Sequence, residues 1–341
     1  MALVRNVGIK LKKLNYLIMI SVIMPTYNTS KFVAEAIESI LNQTFKTFEF
    51  IIVDDGSTDN TLNIIKSYAK QDSRIQVIEV AHGGMAYATD IGVEAAKYPW
   101  LAFADSDDVA VPNRLEKQLN AAQANPNLIG LGSYFYFTKS NGQPLSVKTW
   151  GPKTEEEFYS LQQQGHFHLV YQATLFLKKE IFVKEGGYRP IFQTAADVEF
   201  IARLCNHGTI LVVPEPLVFY RLHAKNTSIQ NCFNQWSVGK YLKARHQAQL
   251  AGHPEPSYQK FLAKNSRKNW LNRLHCFMTS SSFYYQKAGV YFFEKQYLSV
   301  LFYLGLSMLS NPFYAPPRIW QQLLSPKARH WLKLTKGYRV S

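Results

Sequence analysis

Three apolar runs in the first third of the chain each stop abruptly at a polar cluster. Residues 21–24 lead into Pro25-Thr26-Tyr27-Asn28, residues 50–53 into Asp54-Asp55-Gly56-Ser57-Thr58-Asp59, and residues 100–104 into Asp105-Ser106-Asp107-Asp108. Between these runs the apolar residues change period. Phe32, Val33, Ala36, Ile37, Ile40 and Leu41 recur at helical spacing, and so do Leu62, Ile65 and Tyr68. A strand over 75–80, a small-residue helix over 84–97 and a proline-opened helix over 112–124 extend the alternation. Short buried-type strands alternating with amphipathic helices predict an α/β fold: a doubly wound, mostly parallel sheet with helices on both faces.

In such a sheet, ligands bind beyond the carboxyl ends of the strands, near the point where strand order reverses. Three polar clusters at three strand ends therefore describe one pocket with an acidic floor. Asp105 and Asp107, two residues apart in a sharp turn, can meet a hard divalent cation, and magnesium or manganese commonly bridges carboxylates to phosphates. A helix-capping turn explains the same residue types and stays open. Capping by Thr58 or Asp59 suits the helix that follows, but it leaves two adjacent acids, Asp54 and Asp55, unexplained. A carboxylate there can accept from a nucleobase N–H.

Charge is unevenly spread. Lys plus Arg is 38 and Asp plus Glu is 24, a net +14. Residues 231–341 hold 16 bases against Glu255 and Glu294, and residues 1–20 hold 4 bases and no acid. The stretch 21–230 is therefore mildly acidic, with 18 bases and 22 acids. Basic ends on an acidic body suit an anionic membrane surface. Nucleic acid is a disfavoured partner, because the charge lies outside the motif-bearing part. Three scattered cysteines draw no disulfide framework and suit a reducing compartment.

The basic residues 5–13 followed by the apolar run 14–24 imitate a secretory signal, but no small-residue cleavage site follows. That run reads better as the first strand, with residues 1–18 an extension or a misassigned start. Residues 297–309 form a 13-residue apolar run, short of the roughly 20 that span a bilayer. They predict a buried helix, with an interfacial helix beside basic and aromatic residues as the alternative. The expected organisation is an extension over 1–18, a catalytic domain over 19–229, and a helical, basic, aromatic region over 230–341.

The runs Ser21-Val-Ile-Met-Pro-Thr-Tyr-Asn28, Ser39-Ile-Leu-Asn-Gln-Thr-Phe45, Val53-Asp-Asp-Gly-Ser-Thr-Asp59 and Phe103-Ala-Asp-Ser-Asp-Asp108, in that order, resemble the family 2 inverting glycosyltransferases of GT-A fold. The resemblance covers residues 21–228. It implies transfer of a sugar from a nucleotide-diphospho-sugar, typically a UDP-sugar, to an acceptor hydroxyl, with a divalent Mn2+ or Mg2+. Pro25, Thr26, Tyr27 and Asn28 would line the nucleoside, and Asp55, with Asp54, would read the base. Asp105 and Ser106 would sit near ribose and diphosphate, and Asp107 would bind the metal. The segment from Gly186 through Arg203 resembles the one that holds the catalytic base, which puts that role on Asp197. A helix cap is the alternative for Asp197. The segment Phe219–His223 resembles the closing segment, with His223 near metal or diphosphate.

The sequence departs from the family at Ala196, where an acid is usual, at His82, where Asn is usual, and at Thr89-Asp90, where Arg-Asn is usual. The resemblance further implies a saccharide or lipid-linked acceptor and cell-surface polysaccharide or glycolipid synthesis. Cytoplasmic, peripheral residence on the inner membrane face follows from the same reading. The basic tail with Trp236, Trp270, Trp320 and Trp331 would meet anionic headgroups. A non-catalytic binding protein on the same fold stays open as the reading of another class.

Overall fold

The computed structural model describes residues 19–167, 169–264 and 280–319. The expectations for residues 1–18 and for Trp270, Trp320 and Trp331 lie outside these residues, as does that for the side chain of Trp236. Two compact units divide the chain. One runs through Phe137 and resumes over Ser146–Arg221; the other comprises Thr138–Leu145 and the chain from Leu222 onward.

The first unit begins with the predicted alternation. Strand β1 (Ile20–Thr26) is buried along its whole length. Helix α1 (Val33–Leu41) buries Val33, Ala36, Ile37 and Ile40, the i, i+3, i+4, i+7 stripe of a helix lying on a sheet. Strand β2 (Phe48–Asp54), helix α2 (Thr61–Ala69), strand β3 (Ile75–Glu79), helix α3 (Met85–Ala95) and strand β4 (Trp100–Phe103) follow. β2 pairs parallel with β1 and β3, and β4 pairs parallel with β1 on its other side. Helix α3 approaches the sheet closely at Gly92, where a Cβ would lie 2.7 Å from Ile23 Cγ2. The chain runs outward from β1 to β3 and then returns to β4, so strand order reverses between β1 and β4. Crevices at such a reversal are where open α/β sheets bind ligands.

Beyond β4 the sheet turns antiparallel. The remaining elements are β5 (Val109–Ala110), α4 (Arg114–Ala124), β6 (Gly130–Lys139), β7 (Pro144–Lys148), α5 (Glu155–Gln163), β8 (Phe176–Lys178), α6 (Lys179–Lys184), α7 (Ala196–Leu204) and β9 (Ile210–Leu222). The nine-stranded sheet has the order β3-β2-β1-β4-β8-β6-β9-β5, with β7 on β6. β8 is antiparallel to β4 and β6, and β5 is antiparallel to β9. In a flat sheet β4 and β5 would stand about 19 Å apart, four strand spacings. Only residues 104–108 join them, and these fold into a turn in which Asp108 N–H donates to the Asp105 carbonyl at 3.3 Å. The sheet therefore curls, bringing its far edge back toward β4 and clamping the acidic turn between the two strands.

In the second unit, α8 (Thr227–Gln230), α9 (Cys232–Leu250), α10 (Tyr258–Lys264), α11 (Ser281–Phe293), α12 (Tyr297–Ser310) and α13 (Ala315–Ile319) are all helical. The three residues between α11 and α12 make them an antiparallel hairpin, with Lys295 in the left-handed region at φ 61°. Helix α12 forms where the apolar run predicts one, but it is not the buried helix expected. Leu298 is 86% exposed and Leu309 75%, while Ser307 and Ser310 are buried. No described helix is long and apolar enough to cross a membrane.

Candidate active site

The site grows from the three strand ends. At the first, Thr26 is buried, and its hydroxyl donates to the Val53 carbonyl at 3.2 Å and to Asp54 Oδ1 at 3.4 Å. Asp55 N–H donates to the Thr26 carbonyl at 2.9 Å. Tyr27 is 42% exposed, and its ring stacks on His82 with centroids 4.0 Å apart. Asn28 sits at φ 53°, which aims its amide oxygen across to the second loop. There it accepts from Thr58 N–H at 2.8 Å and Asp59 N–H at 3.2 Å. Asn28 thus braces one polar loop against the other.

The two adjacent acids after β2 have different work. Asp54 is buried and turned back, accepting from Ser57 N–H at 3.0 Å to close its own loop. Asp55 is also buried, and accepts from Gly83 N–H at 2.7 Å and Gly84 N–H at 2.9 Å. Its Oδ2 also lies 2.8 Å from His82 Nδ1. An ionised carboxylate has about four acceptor sites, so Asp55 keeps capacity beside the exposed Tyr27–His82 pair. The cap position of α2 is Asn60 rather than Thr58 or Asp59; Asp59, one residue before it, accepts from Thr61 N–H at 2.9 Å.

The third cluster is the most charged. Asp105, Asp107 and Asp108 each offer a carboxylate oxygen, all within 4.8 Å of one another. Ser106 and Asp108 are buried. Asp108 Oδ1 accepts from Arg221 N–H on β9 at 2.8 Å, while its Oδ2 is buried without a hydrogen-bond partner. Beneath them lies Arg114, 1% exposed, donating from Nη2 to the Phe103 carbonyl at 2.7 Å and from Nε to Gln118 at 3.1 Å. Burial drags the Arg114 guanidinium down to about 10, against the pull of Asp105 and Asp108.

Asp197 joins this group from the first turn of α7. Its cap position is Ala195, so Asp197 is not the helix cap that the sequence leaves open. One of its oxygens, Oδ1, is buried with no hydrogen-bond partner. Burial pushes its carboxyl up to about 6. Burial also pushes Asp105 up to about 7, reinforced by the charges of Asp107 and Asp197. Asp108 is raised well above the carboxylate range by burial and by Asp107 and Asp105. Asp105 senses Asp107 of its own turn and Asp197, so two segments some 90 residues apart in sequence share one electrostatic site. Convergent hard oxygens, mutual repulsion and a partnerless buried oxygen fit a divalent cation such as magnesium or manganese.

A buried network holds the segment that delivers Asp197. Arg203 Nε donates to Glu199 at 2.9 Å, Nη1 to Glu185 at 2.7 Å and Nη2 to the Gly187 carbonyl at 2.6 Å. Glu185 also pairs with His207. Gly187 adopts φ 69°, and a Cβ there would meet Asp90 Oδ1 at 2.7 Å. Asp90 in turn accepts from Tyr188 N–H at 3.1 Å. The departure from the family at Asp90 therefore has a structural partner in the loop before Asp197.

His223 lies in the second unit. It is buried, and its N–H donates to Asn226 Oδ1 at 2.6 Å. The carboxylate group that converges among the described residues consists of aspartates alone. Sequence reasoning missed Asp108, Arg114, His82 and Arg203 as site-building residues. Asp108 had a visible signal, its adjacency to Asp107. Arg114 had none, since a charged residue on a helix reads as solvated.

The glycosyl transferase family 2 profile matches residues 21–185. An O-antigen biosynthesis glycosyltransferase of Escherichia coli is 31% identical over 242 residues, covering 68% of this chain and 92% of that protein. A glycosyltransferase of Methanocaldococcus jannaschii is 31% identical over 235 residues, covering 67% and 79%. Glycosyltransferase GlyG of Streptococcus pneumoniae is 38% identical over 125 residues; the match spans 36% of this chain and 42% of that protein. Among solved structures, Staphylococcus aureus TarS 1–349 in complex with UDP-GlcNAc aligns with TM-score 0.56 at 15% identity, covering 86% of this chain and 91% of that one. At that identity the likeness shows the GT-A fold alone. With an acidic turn at the strand-order reversal, a GT-A-type sheet and full-domain relatives above 30% identity, the chain belongs to glycosyl transferase family 2.

Proposed function

We propose that the chain transfers a sugar, with inversion, from a nucleoside-diphosphate sugar to an acceptor hydroxyl on a cell-surface saccharide or its lipid-linked precursor. The observation that carries this reading is the electrostatic coupling of Asp105, Asp107 and Asp197 at the strand-order reversal. Inversion needs one carboxylate to take the acceptor proton as the hydroxyl attacks the anomeric carbon. Asp197 has that role: its burial raises it toward neutrality, where a base both stays largely ionised and holds a proton usefully. Asp107, with Asp105 and Asp108, holds magnesium or manganese, which when bound supplies charge neutralisation for the departing diphosphate.

Pro25, Thr26 and Tyr27 line the nucleoside, with Asp55 beside them to read the base. Asn28 and Asp54 support that wall through the loop bonds described above. Asp105 and Ser106 face the ribose and diphosphate. UDP is the first donor to test, supported by the TarS complexes with UDP and UDP-GlcNAc. A GDP-sugar is the second, since an archaeal mannosyltransferase of like fold was solved with GDP-Man and Mn2+. The E. coli relative's role in O-antigen synthesis supports a saccharide acceptor. The basic region beyond residue 230 supports work at an anionic membrane face.

Calorimetric titration of UDP, with and without manganese, tests the donor site on wild type and Asp107→Asn. Manganese-dependent binding lost in the variant is expected. Binding of GDP but not UDP keeps the reaction and replaces the donor. If neither nucleotide binds the folded protein, the transfer reading falls.

A further inference from the structure

Helix α12 is built inside out. Its exposed face carries Leu298 (86% exposed), Leu301 (68%), Phe302 (61%) and Leu309 (75%), with Phe313 (84%) just beyond its end. Leu298, Leu301, Phe302 and Leu309 stand at i, i+3, i+4 and i+11, with Gly305 at i+7, so on the helix they share one face. The opposite face packs on α11 with its serines most deeply buried, beside the partly buried Val300, Tyr303 and Leu304. Ser307 and Ser310 are buried, and Ser307 Oγ donates to the Ser281 carbonyl of α11 at 2.8 Å. Tyr303 of α12 stacks on Tyr291 of α11 with centroids 5.3 Å apart, which fixes the same register. The serine bond and the ring stack hold the leucines outward; rotating α12 to bury them would break both.

A helix that buries serine and exposes leucine is matched to an apolar surrounding, because each leucine held in water forfeits its transfer free energy. Charge identifies which surrounding. From Lys295 to Ser341 the chain carries seven bases and no acid. A second copy of the chain would carry the same positive excess, with only Glu255 and Glu294 to offset it beyond residue 230. An anionic lipid surface supplies both requirements, apolar depth and negative charge. At 14 residues the helix is about 21 Å long, short of the roughly 30 Å hydrocarbon core. It can therefore lie along the interface but not cross it.

We infer that α12 is a membrane-docking helix that sinks Leu298, Leu301, Phe302, Leu309 and Phe313 into the acyl boundary of an anionic bilayer. This deepens the membrane-face reading above by naming the surface that docks. It stands apart from nucleotide binding, so the two fail separately. A chain that binds UDP but ignores vesicles sinks this inference alone, and one that floats without binding nucleotide sinks only the transfer reading.

The test is flotation of the full chain with vesicles of phosphatidylcholine alone and of equimolar phosphatidylcholine and phosphatidylglycerol. Strong partition onto the anionic vesicles, weakened by salt, is expected. The variant Leu298→Gln/Leu301→Gln/Leu309→Gln should lose roughly a thousandfold or more in partition, from three buried side chains made polar. Because the replaced side chains are exposed, its unfolding temperature and nucleotide affinity should match wild type. The variant with Phe at the same three positions should float like wild type. The inference is overturned if wild type stays off anionic vesicles, or if the glutamine variant floats equally well. Self-association in solution that the glutamine variant abolishes would overturn it too, since a second copy would then be the occupant.

Discussion

The acidic turn after β4 and the helix α12 break the same rule in opposite directions. The turn withdraws carboxylates from water: Asp108 is buried, and Asp105 and Asp197 are raised to about 7 and about 6. Helix α12 leaves leucines in water and buries serines. Neither arrangement favours the folded chain in plain water. A buried carboxylate without a partner costs several kcal/mol, and an exposed leucine forgoes about 2 kcal/mol. Each arrangement makes sense once a missing surrounding is supplied, a divalent cation and diphosphate for the first and a lipid surface for the second. On the two readings proposed above, each local violation of folding chemistry marks a site, and the kind of violation corresponds to the kind of ligand proposed for it.

The largest way to break this comparison is Asp197→Asn. It keeps the shape and removes the proposed base, so kcat should fall by about a thousandfold, within the range for general base catalysis, with donor affinity nearly unchanged. Initial rates and UDP calorimetry on the same preparation separate the two. In wild type, the acid limb of kcat/KM should have its midpoint near pH 6, because burial raises Asp197 to about 6 and the base works only when deprotonated. Activity should rise with pH through that value. A limb near pH 4 would mean that Asp197 is not the group being titrated.

Arg203→Met probes what holds Asp197 in place. It takes one of two arginine partners from Glu199, which is fully buried and keeps Arg189 Nη1 at 3.4 Å, and should cost up to about 3 kcal/mol in denaturant unfolding, the low end of the range for a buried ion pair stripped of one member. Glu185 is held low by its bonds to His207 and Arg203 despite its burial, and should move up in the variant.

Paired truncations sharpen the contrast between the two regions. Ile37→Ala empties a fully buried position on α1 and should cost about 2–5 kcal/mol. Leu298→Ala, on the exposed stripe, should change stability by less than about 0.5 kcal/mol. Equal losses in the two variants would mean that α12 is covered after all.

The smallest effect is Asp90→Asn. Burial raises Asp90 to about 6 in the folded chain, above its ordinary 3.8. The folded state therefore binds the Asp90 proton more tightly than the unfolded state. That contribution to stability is complete below pH 3.8 and is lost as pH rises through about 6. In the variant, thermal unfolding scans should show a flatter pH dependence across this window.

Much of the site was legible in sequence because its signals are local. An apolar run that ends in two or three acids places carboxylates at a strand end, whatever the rest of the chain does. Asp107 and Asp55 could be placed at strand ends on those terms. Asp54 and Asn28 were read as ligand contacts from the same signal, and in the fold both hold loops together. Adjacent residues at a strand end point to opposite sides, so the sequence names the pair and packing decides which bonds each makes. Arg114 was invisible, and Arg203 was read only as part of a motif, because nothing local separates a solvated arginine from one buried among carbonyls and carboxylates.

By itself, the sequence determined the alternating strands and helices of the first unit, the three polar strand ends, the helix at 297–310 and the basic excess beyond residue 230. Each is a matter of periodicity or composition, and each is settled within a few neighbouring residues. Tertiary structure alone decided that the sheet curls until β5 meets β9, that Asp197 shares a field with Asp105, and that α12 faces outward. Those depend on which surfaces meet across long sequence separations. The free energy of burying one face and leaving another is a property of the assembled fold, not of any segment of it.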